Sequence, residues 1–467
     1  MKRVRLLSAA FIALCAAALL AACAAGTPGK AGSEQKGLDP GSGISDKDKK
    51  ISIAFWTYPR WKGVTGNEAD GREGDWERYV IENFRKEHPG VEIDFKTLVY
   101  DGGPQKVNVA IASGEQPDIL RDYPGRHQDY AQRGLLAELD GYITEAERAQ
   151  YLQGVYEQCV GVDGKQYMIP WGITTKFLMV NRDIFRRAGA ESLLPQNDDR
   201  TWTYGQFKKA LEAVNNPEEG IFGLGLYAGN EQADNGTVAL LENFGVDLIG
   251  YGADGKPFTP VNTEKGVKAA EFLRSLVDEK LVFPEAESLK SADCEKLFAL
   301  GKIAILPFGS SYITTNAKTR MEQGKVEKFE IYPVMFPNAE GVKPHYFGEL
   351  DTYAVFKSGD GEREKWAVDF CKYITGPKYI NDLKPSRNFP AYTYADDLYA
   401  GDEFMAYAKR IFEFNKDYYN NVRGFWRIRS VIYPAFKELY ALPEKSPEQV
   451  LDDLARNIQN ILDENYK

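Results

Sequence analysis

Alternating strand-like and helix-like segments open the folded part of the chain, and they limit the fold more than any other feature. The apolar run Ile51–Trp56 is typical of a buried strand. Residues 75–88 carry apolar side chains at helical spacing, and residues 91–97 alternate apolar and polar side chains as a strand does. A second helical segment, 104–113, precedes a third strand, 116–120. This order predicts an α/β fold with parallel strands.

The length of the chain indicates more than one hydrophobic core. Its 467 residues exceed the roughly 250–300 at which a single core usually stops growing. Hydrophobic residues make up 43% and charged residues 27%. These values are typical of globular proteins and exclude a disordered or fibrous chain. We therefore expect two domains or lobes.

The charge of the chain excludes two kinds of partner. The formal net charge is −10, and the first 22 residues carry three basic side chains and no acid, so residues 23–467 hold −13. Binding to a nucleic-acid backbone needs a basic patch, and adhesion to anionic lipid needs clustered Lys and Arg. We expect no nucleic-acid partner and no attachment to a membrane by charge alone.

Cysteine and histidine are too scattered to suggest a metal site or a disulfide framework. Of five cysteines, only Cys159, Cys294 and Cys371 lie beyond the N-terminal segment, and there is no CxxC pair. The three histidines show no metal-ligand spacing. We expect no metal and no cofactor, and the sequence leaves open whether the three cysteines pair.

Residues 1–22 have the composition of an export signal. A basic start, Met1–Arg5, precedes the 17 residues Leu6–Ala22, which are almost all apolar or small. This stretch is a little shorter than the roughly 20 residues of a membrane-spanning helix. It ends in Leu20-Ala-Ala-Cys23, which resembles a bacterial lipobox and implies cleavage before Cys23 followed by acylation. The alternative is a plain secretory signal with an incidental cysteine.

A flexible tether follows the signal. Residues 24–49 are rich in Gly, Ser, Pro, Lys and Asp and have no apolar period. We therefore assign 23–49 to the acylated cysteine and a linker. A lipid on Cys23 would hold the folded part at the outer face of the cytoplasmic membrane.

Aromatic residues are frequent, at 13%, with 27 Tyr and 7 Trp. Three tryptophans lie at helix starts or on helix faces, where core packing explains them: Trp76, Trp202 and Trp366. The other four lie at strand ends or in loops: Trp56, Trp61, Trp171 and Trp426. Sugars offer flat C–H faces that stack on aromatic rings and hydroxyls that need polar partners. The loop tryptophans therefore point to a carbohydrate ligand.

Six segments, in order along the chain, match motifs of one known family: Ser113–Ile119 (SGEQPDI), Asp163–Pro170 (DGKQYMIP), Val180–Gly189 (VNRDIFRRAG), Arg200–Phe207 (RTWTYGQF), Phe298–Ala304 (FALGKIA) and Lys365–Phe370 (KWAVDF). By these segments the chain resembles the extracellular solute-binding proteins of ABC sugar importers, in the group of maltodextrin-binding proteins. Before the fourth segment, two aspartates replace the prolines usual in the family.

The resemblance implies a two-lobed fold of the periplasmic-binding-protein type II, each lobe a mainly parallel sheet flanked by helices, with a hinge between them. By this template one lobe comprises 50–160 plus 338–377, and the other comprises 161–337 plus 378–467. A sugar would be held between the lobes and delivered to membrane permease subunits. We expect a monomer.

Ligands of open parallel sheets bind beyond the carboxyl ends of the strands. The candidate binding residues are therefore those at strand ends, in the loops after them and at the positions that the family template places near the ligand. They are Trp56, Tyr58, Trp61, Arg121, Asp122, Trp171, Phe308, Glu349, Asp351 and Trp426. For Trp56 and Trp61 packing under their loop is the alternative, and for Trp426 the alternative is a solvated helix surface.

A non-catalytic sugar receptor is the function that these features favour. One alternative is a lipid-anchored enzyme that degrades polysaccharide, although the sequence contains no GxSxG, HExxH or P-loop lysine motif. A second alternative is a sensor that signals its ligand state to a membrane kinase. The sequence cannot separate the sensor from the receptor, because both need the same binding chemistry.

Overall fold

The computed structural model describes residues 50–59, 61–64, 66, 71–99, 102–230, 232–395, 398–416 and 421–467. The predicted signal, the lipidation site Cys23 and the linker lie outside these residues. Within the described ranges, no helix combines the length and the apolar character that crossing a membrane would require.

Twelve strands are defined in the described residues. They are β1 Ile51–Thr57, β2 Val91–Thr97, β3 Ile119–Asp122, β4 Met168–Thr174, β5 Lys176–Asn181, β6 Phe222–Leu224, β7 Gly250–Tyr251, β8 Pro257–Phe258, β9 Ile303–Ser310, β10 Ile331–Val334, β11 Glu349–Val355 and β12 Phe389–Pro390.

Fifteen α-helices are defined in the same part of the chain. They are α1 Asp75–Glu87, α2 Gly103–Ser113, α3 Pro124–Gln132, α4 Glu145–Arg148, α5 Val155–Cys159, α6 Arg182–Arg187, α7 Tyr204–Val214, α8 Ala233–Glu242, α9 Glu264–Asp278, α10 Ser291–Ala299, α11 Ser311–Glu322, α12 Gly361–Thr375, α13 Glu403–Arg410, α14 Phe425–Ala441 and α15 Pro447–Asn465.

The first sheet has six strands in the order β12-β4-β11-β3-β1-β2. β1 pairs in parallel with β2 and β3, as the alternation of strands and helices predicts. β11 lies antiparallel between β3 and β4, and β12 pairs antiparallel with β4 at the edge. The sheet is therefore mixed. The parallel strands are joined by helical crossovers, as parallel pairing requires, whereas β11 and β12 come from later parts of the chain.

The second sheet has four strands in the order β10-β5-β9-β6. β5 is antiparallel to both of its neighbours, and β6 is parallel to β9. β7 and β8 form a separate two-stranded sheet. Each large sheet packs into its own hydrophobic core, so the fold is α/β with two lobes, as predicted. The expectation of a mainly parallel sheet in each lobe is wrong, because most of the strand pairings in both sheets are antiparallel.

Local sequence signals set several helix ends. The predicted capping box at the start of α7 is present, since the Thr203 side chain accepts from the Gln206 backbone while the Gln206 side chain accepts from the Thr203 N–H. Ser446 and Gln449 form the same arrangement at the start of α15, with Pro447 at the first helical position. These caps satisfy backbone N–H groups that a helix leaves unpaired.

The first crossing between the sheets lies later than the template implies. β4 pairs with β11 in the first sheet, and only Thr175 separates it from β5 in the second. The expected boundary at 160/161 therefore assigns β4 to the wrong lobe. Apolar periodicity identifies a buried strand but not the sheet that it joins.

The last crossing is also later than expected. β12 pairs with β4 in the first sheet, and Leu398 packs in the first core, whereas Tyr407 packs in the second. The chain thus passes between the lobes after residue 398, and the expected boundary at 377/378 is too early. The crossing from β10 to β11 spans the expected boundary at 337/338.

A cluster of aromatic rings fills the core of the first lobe near the hinge. Trp171 on β4 is fully buried and stacks on Trp76, with ring centroids 4.8 Å apart and an interplanar angle of 20°. The Trp61 ring lies 5.3 Å from that of Trp76 and 5.8 Å from that of Trp171. Tyr353 on β11 lies 5.8 Å from Trp171. The cluster therefore joins β4, β11, α1 and the loop after β1.

His127 on α3 is fully buried beside the centre of the first sheet. Its Nδ1 lies 2.9 Å from the Thr352 hydroxyl on β11. Burial, followed by the positive charges of Arg126 and Arg121, lowers the pKa of His127 from 6.5 to about 3. The ring is therefore neutral in the folded protein at ordinary pH.

Trp171→Ala should destabilise the fold, because it removes the ring at the centre of the aromatic cluster. Truncation of a buried Trp costs about 3–5 kcal/mol, and urea unfolding would measure the loss. Trp56→Ala is the control, since Trp56 is only half-buried on β1 and should cost less than half as much. A free energy of unfolding within 1 kcal/mol of wild type for Trp171→Ala would contradict the packing role.

His127→Gln should reduce the loss of stability at acid pH. Between pH 6.5 and 3 the unfolded chain takes up a proton that the folded chain excludes, so the free energy of unfolding falls as the pH falls. The free energy of unfolding of the wild type falls by about 1.4 kcal/mol per pH unit in this range because of His127. Between pH 7 and pH 5 the variant should therefore lose about 2 kcal/mol less of its free energy of unfolding than the wild type. Urea unfolding at both pH values tests this, and equal losses in the two proteins would refute it.

Candidate ligand-binding site

A cleft of about 360 Å³ lies between the two sheets. The first lobe contributes side chains from the ends of β1 and β3 and the start of β11, namely Tyr58, Arg121, Asp122, Glu349 and Asp351. The second lobe contributes side chains from β5, β9, α10 and α11, namely Lys176, Glu295, Phe308, Ser310 and Tyr312. The cleft thus lies beyond the carboxyl ends of β1 and β3, where open sheets hold their ligands.

An ion pair joins β3 to β11 in the first wall. Arg121 Nη2 lies 2.5 Å from Asp351 Oδ1, and Arg121 Nη1 donates to the Tyr58 carbonyl at 3.1 Å. The other oxygen of Asp351 accepts from Asn388 Nδ2 at 3.0 Å. Charge-assisted bonds of this kind hold both side chains in fixed positions.

A second ion pair links the end of β3 to the first turns of α3. Arg126 Nη1 lies 2.9 Å from both carboxylate oxygens of Asp122, and both side chains are almost fully buried.

Tyr58 lies close to this ion pair. Its burial raises the pKa of its hydroxyl far above the usual value, and the negative charge of Asp122 adds to this rise. The Tyr58 hydroxyl therefore stays protonated and remains a hydrogen-bond donor.

A third ion pair spans the hinge. Lys176 begins β5, directly after the first crossing, and its Nζ lies 2.9 Å from Glu349 Oε2 on β11. The same ammonium lies 4.1 Å from the centroid of the Phe308 ring on β9. Such an arrangement is a cation–π contact. Lys176 therefore couples the first sheet to both central strands of the second.

The second wall combines aromatic and hydroxyl groups. Phe308 is nearly buried, whereas Tyr312, in the first turn of α11, is 41% exposed. Ser310 caps α11, since its side-chain oxygen accepts from the Ile313 backbone N–H at 3.3 Å. Glu295 projects from α10 into the same cleft.

Polar contacts between α3 and the segment around the start of α14 also join the two lobes. Arg429 on α14 pairs with Asp234 in its own lobe, with Nε 2.7 Å from Oδ2, and also donates to the Tyr123 hydroxyl of the other lobe. Gln128 Nε2 on α3 donates to Asn421 Oδ1 at 3.1 Å. The lobes therefore touch along α3 and the segment around the start of α14.

Six of the ten candidate residues lie in the cleft: Tyr58, Arg121, Asp122, Phe308, Glu349 and Asp351. That these side chains contact a ligand stays a prediction.

The four candidate tryptophans do not line the cleft. Trp61 and Trp171 belong to the aromatic core cluster. Trp56 lies on β1, and the Lys96 ammonium is 4.0 Å from the centroid of the Trp56 ring. Trp426 packs against the Arg126 guanidinium, 4.7 Å from the ring centroid, and so supports the site from behind. Trp171 follows Pro170 within a strand, not within a loop, which is why its position misled the prediction.

Sequence reasoning missed several cleft residues. Arg126 had a local signal, because it follows Asp122 by four residues, the spacing of a helical ion pair. Lys176 had one as well, since it is the only charged residue in the apolar run of β5. Glu295 and Asn388 had no such signal, because only the tertiary fold brings them to the cleft.

Comparison with known proteins identifies relatives along most of the chain. A binding protein of Brucella abortus (strain 2308) is 23% identical over 410 residues, which are 85% of this chain and 92% of that protein. The diacetylchitobiose binding protein of Streptomyces coelicolor is 25% identical over 125 residues, 27% of this chain and 29% of that protein.

Solved structures share the two-lobed fold. A solute-binding protein of an ABC transporter from Thermotoga lettingae, bound with α-D-tagatose, has a TM-score of 0.72 at 18% identity and covers 88% of this chain and all of its own. The GacH receptor of Streptomyces glaucescens, solved without ligand and with acarbose, has a TM-score of 0.70 at 20% identity and covers 90% of this chain and all of its own.

The family comparison agrees with the geometry. Residues 69–380 match the family described as bacterial extracellular solute-binding protein. This range holds most of the first sheet, all of the second and all of the cleft residues described above except Tyr58, Asn388 and Arg429. The chain belongs to the family of bacterial extracellular solute-binding proteins.

Proposed function

We propose that the protein is an extracytoplasmic receptor that binds a carbohydrate, in particular an oligosaccharide, in the cleft between its lobes and delivers it to the permease of an ABC importer. The observation that carries this proposal is the combination of aromatic rings with fixed polar groups in one interlobe cleft. Tyr312 offers an exposed ring, and the largely buried rings of Tyr58 and Phe308 line the same cleft. Arg121 and Asp351 offer donors and acceptors beside them.

The chemistry of a sugar suits these walls. Ring C–H groups pack on aromatic faces, and each hydroxyl can both donate and accept a hydrogen bond. The ion pairs keep their oxygens and N–H groups in place before a ligand arrives, so little side-chain freedom is lost on binding. Relatives of the same family support the carbohydrate class, since their names and solved complexes include diacetylchitobiose, tagatose and acarbose.

Closure of the lobes accounts for delivery. A ligand that contacts both Asp351 in the first lobe and Tyr312 in the second binds the closed arrangement more tightly than the open one. Its binding therefore shifts the protein toward the closed arrangement. The contacts Arg429–Tyr123 and Gln128–Asn421 would form and break in this motion. The permease would then receive the closed, loaded form.

The proposal includes a lipid anchor. Residues 1–22 would be removed on export, Cys23 acylated, and residues 24–49 would tether a monomeric body to the outer face of the cytoplasmic membrane. Mass spectrometry of the membrane-bound protein would detect the acylated N-terminus.

Members of this family bind solutes, and the cleft carboxylates suit binding better than acid–base catalysis. A retaining glycosidase needs two carboxyl groups about 5 Å apart, one as nucleophile and one as acid. Here Asp122, Glu349 and Asp351 each pair with a cationic side chain. Among the described cleft residues this leaves Glu295 as the one carboxylate outside an ion pair, without a second to complete such a dyad. No product should therefore accumulate when the protein is incubated with oligosaccharides.

Thermal melting against a panel of mono- and oligosaccharides tests the function. A ligand present at 100 times its Kd should add about 2.7 kcal/mol to the stability, which is seen as a rise in Tm. A rise with peptides or metal ions and with no sugar would overturn the carbohydrate proposal.

Tyr312→Ala should weaken binding of any sugar that the panel identifies. The loss of one stacking face, worth about 0.5–1.5 kcal/mol, should raise Kd about 2- to 13-fold in isothermal titration calorimetry. Tyr251→Ala is the control, because Tyr251 is also exposed, at 59%, but lies on β7 outside the cleft. Equal Kd values in the two variants would remove Tyr312 from the site.

A further inference from the structure

Glu295 differs from the other charged side chains described in the cleft. Each of the others has an ion-pair partner among the described residues, in the pairs Arg121–Asp351, Arg126–Asp122, Lys176–Glu349 and Arg429–Asp234. The Glu295 carboxylate lines the same cleft and forms neither an ion pair nor a side-chain hydrogen bond within the described part of the chain.

The helix presents this carboxylate to the ligand space. Ser291 and Ala292, one turn earlier on α10, line the same cleft, so one face of the helix borders it. Cys294 and Phe298, on the adjoining part of the helix surface, are buried in the core of the second lobe. Glu295 is therefore carried by a helix that these core contacts hold in place.

The neighbouring cations do not neutralise it. Lys176 is engaged by Glu349 and by the Phe308 ring. Burial raises the pKa of Glu295 above its usual range, and Arg320 and Lys176 offset that rise only in part. A carboxylate that is partly removed from water without a partner costs free energy, which a cation brought by a ligand would recover.

An aromatic ring in the wall of the cleft also favours a cation. Tyr312 borders the same space as Glu295, and a ring face attracts an ammonium group, whereas the Phe308 ring is already in contact with Lys176. An ammonium can donate three hydrogen bonds, which Glu295 and the nearby hydroxyl oxygen of Ser291 can accept.

We propose that Glu295 binds a positively charged amino group of the ligand, so that the cleft prefers carbohydrates with a free amine to neutral sugars of the same size. This inference rests on the proposed function, since it names the class of carbohydrate for the same cleft. A neutral sugar could only donate a hydroxyl hydrogen bond to Glu295 and would not form an ion pair with it.

The test is isothermal titration calorimetry of the whole protein at pH 6 with matched sugars. The probes are glucosamine, glucose and N-acetylglucosamine, each as the monosaccharide and as the β-1,4-linked trisaccharide, together with the galactosamine and mannosamine series. The amine member of at least one series should bind about 10-fold or more tightly than both of its uncharged counterparts.

Two variants assign the preference to this side chain. Glu295→Gln keeps the shape and removes the charge, and should bring the three members of the series within about 3-fold of one another. Glu322→Gln, an exposed acid at the end of α11 in the same lobe, removes the same charge from the surface and should leave the preference intact. Unchanged Tm values for both variants would show that each is folded.

The outcomes separate the two proposals. If neutral sugars bind and amines bind no more tightly, the inference falls and the proposed function stands. A preference that survives in Glu295→Gln, or that disappears equally in Glu322→Gln, also overturns the inference. If no sugar binds in this panel or in the melting panel, the proposed function fails and the inference fails with it.

Discussion

Charged side chains that lose their water must find partners, and at the cleft this requirement holds distant parts of the chain together. Arg121 and Asp351 are 230 residues apart and fix β3 against β11. Lys176 and Glu349 connect the strands on either side of the hinge. Breaking a buried pair leaves an uncompensated charge, so the first pair fixes the wall of the first lobe and the second fixes that wall relative to the second sheet. The binding surface and the junction of the lobes are thus built from the same contacts.

The order of the first strands and helices was predicted correctly from local sequence, although the third strand is Ile119–Asp122 and not 116–120. The first strands and helices follow from apolar periodicity, and the caps at Thr203 and Ser446 follow from side chains three residues apart. The lobe boundaries at 160/161 and 377/378 were wrong, because β4 and β12 join the first sheet through pairing with strands that lie far away along the chain. Apolar periodicity indicates that a residue is buried, but it does not indicate which strand or helix the residue packs against.

The tryptophans show the same limit at the site. Position beside a proline or a strand end suggested that Trp171 would face a ligand, yet its ring stacks on Trp76 inside the first lobe. The polar candidates Arg121 and Asp122, at the end of β3, do line the cleft. A charged side chain at the end of a buried strand needs water or an ion-pair partner, and a cleft provides both. An aromatic ring can be buried equally well in the core or in a cleft, so its sequence position does not tell the two apart.

The place of β11 has a consequence for the order in which the protein is assembled. It occupies the middle of the first sheet, between β3 and β4, although it is made after every strand of the second sheet. Until residues 349–355 are available, the growing chain has an unpaired strand edge at β3, of the kind that invites pairing with other chains. The first lobe therefore finishes folding after the strands of the second lobe have been synthesised, and a nascent chain must be protected from aggregation until then.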